Sequence, residues 1–168
     1  MILVSDMKKF VSVVIPLLFF SAAPVHADEK IMISATIPYE NNDAATDDIR
    51  KDCDWNQKLA QNIVKESNTS VEATDKDLAK FSGKKLVIMI DQVHSIGGGG
   101  FTGPKWAHIR GKLSEKGKVI GSFEALRRTI GGTFRACATL DNLGEELGGD
   151  VAGWLKNPTM DAKLGDAS

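Results

Sequence analysis

The chain has 168 residues, with 21 basic and 22 acidic side chains and a formal net charge of −1. That balance argues against bulk nucleic-acid binding, which calls for a basic patch or stripe. The length suits one domain.

The chain opens with a targeting pattern. Lys8 and Lys9 form a short positive region, Phe10 to Ala23 is apolar, and Val25-His26-Ala27 is a small-x-small cleavage site. The expectation is a signal peptide over 1–27, with the positions before Met7 a misassigned start. The apolar run falls short of the roughly 20 residues a membrane span needs, so no membrane anchor is expected after cleavage. No cysteine marks a lipid-attachment site. Loss of Asp6, Lys8 and Lys9 leaves 19 basic and 21 acidic residues, net −2. The location implied is periplasmic or secreted.

Lys30 to Ile37 is isoleucine-rich, bounded by Pro38, and reads as a strand. Pro38 to Thr46 reads as loop. Thr46, followed by Asp47 and Asp48, can cap a helix whose positive end suits acidic residues. That helix is expected over Asp47 to Ser67, with Ile49, Cys53, Leu59, Ile63 and Val64 on one face and Trp55 at the layer boundary. Ser67 to Lys76 reads as a polar connection. Lys84 to Val93 carries five consecutive apolar residues, Leu86 to Ile90, and reads as a central strand parallel to the first. Two alternating runs, Trp106 to Ser114 and Val119 to Thr129, flank a glycine turn and predict a hairpin. Its polar face carries Trp106, His108, Arg110 and Lys112 from one strand, and Ser122, Glu124, Leu126 and Arg128 from the other. Gly131-Gly132 breaks the strand.

The last helix is expected over Cys137 to Lys156. Leu140, Leu143, Leu147, Val151 and Trp154 recur at steps of three and four. Gly148-Gly149 predicts either a kink or a second short helix begun by Asp150. Pro158 ends the helix, and 159–168 is expected to be a loose tail. The sum over 28–158 is an α+β two-layer sandwich, order β-α-β-β-β-α: a four-stranded mixed sheet with two helices on one face. Cys53 and Cys137 are an even pair in an exported chain, which most often means a disulfide; two buried thiols are the other reading.

Several motifs together resemble an uncharacterised family of small secreted proteobacterial proteins, a domain of unknown function. They are Cys53 and Trp55, Gly103-Pro104 before a strand, Arg110 within it, Gly131-Gly132 ahead of Cys137-Ala138-Thr139-Leu140, and Asp150-Val151-Ala152-Gly153-Trp154-Leu155. The resemblance implies export and an α/β sandwich, and it supplies no catalytic residue.

Candidate chemistry is sparse. Gly98-x-Gly100-x-x-Gly103 satisfies a dinucleotide string, but Pro104 and a strand follow where the helix that holds a pyrophosphate must stand. No cofactor is therefore expected. Phe101 in that loop is a candidate contact residue. Asp91, His94 and His108 form a candidate three-ligand metal set for a metal-assisted hydrolase, which needs a bulge because Asp91 and His94 have opposite parity on one strand. No nucleophile elbow is present. The favoured reading is a non-catalytic envelope module. It binds a partner protein, or a second copy of itself, through the open sheet face: Phe101, Trp106, His108, Arg110 and Arg128.

Overall fold

The structure, a computed structural model, describes residues 29–95, 103–129 and 136–168. The expected leader, Phe101, most of the glycine-rich loop and Gly131-Gly132 lie outside these residues. Six strands form one sheet: β1 (Ile31–Ser34), β2 (Val71–Thr74), β3 (Lys85–His94), β4 (Trp106–Glu115), β5 (Lys118–Arg128) and β6 (Ala162–Gly165). Their spatial order is β2-β1-β3-β4-β5-β6. β3, β4 and β5 make an antiparallel meander, while β2, β1 and β6 pair in parallel with their neighbours. The α+β class and the mixed sheet hold, but the sheet has six strands where four were expected. The two additional strands come from segments read as a polar connection and a loose tail. Each is four residues long and lies at a sheet edge, where only one side of the backbone needs a partner.

Among the described residues three α-helices, where two were expected, cover one face: α1 (Asp47–Asp52), α2 (Trp55–Glu66) and α3 (Ala136–Leu155). The helix expected over 47–67 breaks at Asp54, which takes φ 46° in the left-handed region. The break turns Trp55 inward. It is fully buried rather than at the layer boundary, and its Nε1 donates to the Leu140 carbonyl at 2.6 Å. Burying that ring without a partner for its N–H would leave an unpaired donor, so the bond and the burial go together.

α3 runs unbroken through Gly148-Gly149. The residues expected on its inner side, Leu140, Leu143, Leu147, Val151 and Trp154, are all buried. Gly148 sits against α2: a Cβ there would lie 3.0 Å from the Asn62 carbonyl carbon. Close helix approach therefore offsets the low helix propensity of glycine. Cys53, at the α1–α2 junction, and Cys137, in the first turn of α3, form a disulfide spanning 84 residues. At the far end of the sheet, Arg127 crosses to α3, with Nε 2.7 Å from Asp150 and Nη1 3.6 Å from Glu146. The hairpin turn has Lys116 at φ 51° and Gly117 at φ 79°, the two positive values that suit the twist of a tight hairpin.

Candidate functional site

Alternation along β4 and β5 places Ala107, Ile109, Leu113, Phe123 and Ala125 in the core. The intervening residues face away from the helices, as their polar character requires. Register sets Trp106 opposite Arg128, His108 opposite Leu126, Arg110 opposite Glu124 and Lys112 opposite Ser122. No helix among the described residues covers this face.

Its centre is a charge cluster. The β3–β4 register shifts between Ile90 and Gln92, so the bulge allowed for in the metal reading exists. It brings Asp91 onto the open face, where the carboxylate, only 13% exposed, lies 2.7 Å from Arg110 Nε and 3.0 Å from His108 Nδ1. Arg110 also binds Glu40, which is held beside β3 by the Glu40 N–H donating to the Ile90 carbonyl at 2.9 Å. The hydrogen bond to Asp91, then that to Glu40, raises the Arg110 pKa above its ordinary value. Glu124 is paired with Lys163 of β6, whose ammonium lowers the Glu124 pKa through its hydrogen bond and its charge.

His94 does not join this cluster. Its ring stacks on Trp106 at 3.8 Å and 10°, while Trp106 Nε1 donates to Gln92 at 3.2 Å. Asp91 and His108 meet, but the Arg110 guanidinium is paired with the same Asp91 carboxylate. Among the described residues no group of three His, Cys, Asp or Glu side chains is arranged to hold a metal. The alternative metal set of Asp91, His94 and His108 is thus not assembled among the described residues, because the bulge aligns Asp91 with β4 while leaving His94 opposite Trp106.

Two depressions mark the face. One, of about 670 Å³, is lined by Val87, Met89, Lys112, Val119, Met160 and Asp161 among others. The second, of about 420 Å³, is formed by Gln92, Pro104, Trp106, His108, Leu126 and Arg128. The second collects three of the candidate binding residues, Trp106, His108 and Arg128; Arg110 lines the first. The sequence reading missed Glu40, Val87, Met89, Val119, Met160 and Lys163. A signal for two of them was present: the run Leu86 to Ile90 is apolar on both faces, and its second face is Val87 and Met89.

The fold is a two-layer α+β sandwich, one sheet face of which no described helix covers. No family model matches the chain, and no curated protein matches it. Among solved structures it is similar to protein XCC0632 from Xanthomonas campestris, of family DUF330. The TM-score is 0.50 at 13% identity, covering 75% of this chain and 82% of that one. Two crystal forms of a PelC dodecamer from Paraburkholderia phytofirmans give TM-scores of 0.43 and 0.44 at 14% and 15% identity. Both cover 71% of this chain, and 83% and 85% of theirs. At such identities the first likeness is one of fold alone, and it agrees with the α+β class.

Proposed function

We propose that this chain is an exported binding module of the cell envelope, without catalytic activity, that recognises a partner protein or a second copy of itself through the bare sheet face. The observation that carries the reading is the face itself. It combines exposed apolar side chains with a stacked tryptophan and arginines, a composition closer to interface than to ordinary solvated surface. The Cys53–Cys137 bond supports export, since such bonds persist in oxidising compartments. Among the described residues no helix is long and apolar enough to cross a membrane. A leader over 1–27, removed on export, completes the proposal.

The test is the double variant Trp106→Ala with Arg110→Ala. It should keep the wild-type circular dichroism and a cooperative melt while losing partner capture from an envelope extract or losing self-association. If both pull-down and solution mass are unchanged, the face is not the binding site.

A further inference from the structure

We propose that two copies of this chain pack their bare sheet faces together about a two-fold axis, each Lys112 pairing with Asp161 of the other copy. This rests on the open-face reading above and names the occupant.

The first observation is apolar exposure. Among the described residues four large hydrophobic side chains are at least a third exposed, and three of them, Val87 (43%), Val119 (41%) and Met160 (56%), line the one groove. Single exposed hydrophobics need no explanation, whereas three converging on one depression mark a contact surface.

The second is the state of the groove's charges. Arg110 is tied to Asp91 and Glu40, and Glu124 to Lys163. Two groups remain. Lys112 forms no ion pair or hydrogen bond among the described residues, and the Asp161 carboxylate has only the Ser122 hydroxyl, at 2.9 Å. Asp161 is fixed at the groove by its own N–H, which donates to Ser122 Oγ at 2.8 Å.

Among the described residues these two, a lysine without an ion pair and a carboxylate held only by a hydroxyl, decide the occupant. An acidic peptide or a fatty-acid-like anion would neutralise Lys112 but press its own charge or its apolar body against Asp161. A basic ligand would fail at Lys112 in the same way. Covering either charge without a partner is costly. A second copy related by a two-fold axis supplies both partners at once, because in such an interface residue i meets j and j meets i. The area is adequate. Three ten-residue strands at a ~4.8 Å spacing and a ~3.4 Å rise, with the short strands beside them, project roughly 600 Å². A corrugated surface exceeds its projection, which brings it near the ~800 Å² a standard interface takes from each partner.

The experiment is sedimentation equilibrium of the purified, oxidised chain across concentration. The wild type should show a monomer–dimer equilibrium. Lys112→Glu alone and Asp161→Lys alone should each weaken it about 100-fold, at about tenfold for each of two pairs turned repulsive. An equimolar mixture of the two variants should recover the dimer, since both cross-contacts are then attractive. Should Asp161→Lys fail to fold, Val87→Glu on the β3 side of the groove must dissociate the dimer instead. A wild type that stays monomeric at the highest concentration overturns the proposal, as does a Lys112→Glu variant that associates like wild type or a mixture that fails to recombine. If the wild type is monomeric yet Trp106→Ala with Arg110→Ala loses a captured partner, the dimer falls and the binding reading stands.

Discussion

Gly148 and Gly149 are neighbours on α3, yet only the second should gain stability when replaced with alanine. Alanine in a helix interior is favoured over glycine by about 1 kcal/mol. At Gly149 a new Cβ meets nothing within 4 Å, so that gain should appear undiminished. Unfolding entropy of about 2.1 cal/mol/K per residue, over the roughly 140 residues left once the proposed leader is removed, converts 1 kcal/mol into a rise in Tm of roughly 3 °C. At Gly148 the Cβ would stand 3.0 Å from the Asn62 carbonyl carbon and 3.1 Å from its oxygen. These are backbone atoms of α2 and cannot swing aside, so the helices must part. Overpacking of this kind costs typically 1–3 kcal/mol. Set against the propensity gain, Gly148→Ala should be neutral to about 2 kcal/mol destabilised, and its Tm should lie roughly 3–10 °C below that of Gly149→Ala. Differential scanning calorimetry of the two variants decides the matter. Equal stabilisation of both would refute the close approach of α2 and α3 at Asn62.

Two further outcomes follow from the same framework. Opening the Cys53–Cys137 bond, by reductant or by the double alanine variant, releases a loop of 84 residues; the chain-entropy relation gives about 4.5 kcal/mol, or roughly 15 °C in Tm, and melts with and without reductant measure it. Glu124 has its folded pKa depressed by Lys163. The stability it contributes is therefore present above the ordinary carboxylate range and lost as pH falls through the depressed value. Carboxyl-carbon NMR should show Glu124 titrating below the usual glutamate range, and returning to it in Lys163→Met.

Much of this architecture was legible because one periodicity ruled each long segment. The hairpin alternates from Trp106 to Leu113 and from Gly121 to Arg128, so most of its core side and its open side could be read off, while the register shift beside Leu113 carries Val119 to the open face against its parity. α3 repeats at three and four, and Cys53 with Cys137 admits only one intramolecular bond. The losses have physical causes. β2 and β6 are too short to show alternation, and as edge strands they take their stability from the pairing itself rather than from a buried row. Asp54 in the left-handed region is a backbone event that aspartate tolerates but does not announce. The glycine pair misled because propensity counts a local cost, while the compensation comes from Asn62, 86 positions away. The open face was half visible. Its polar row on β4 and β5 followed from parity, whereas Glu40 reached Arg110 through a loop, and Asp91 arrived by a bulge.

The bond between the sulfurs has one more consequence. It encloses four of the strands, from Val71 to Arg128. A protease that cuts once anywhere between positions 53 and 137, the glycine-rich stretch included, leaves two fragments still fastened to each other. Such a nicked protein migrates as a single species on a non-reducing gel and as two once thiol is added. Damage that would release a piece of an unlinked polypeptide leaves this one whole in mass.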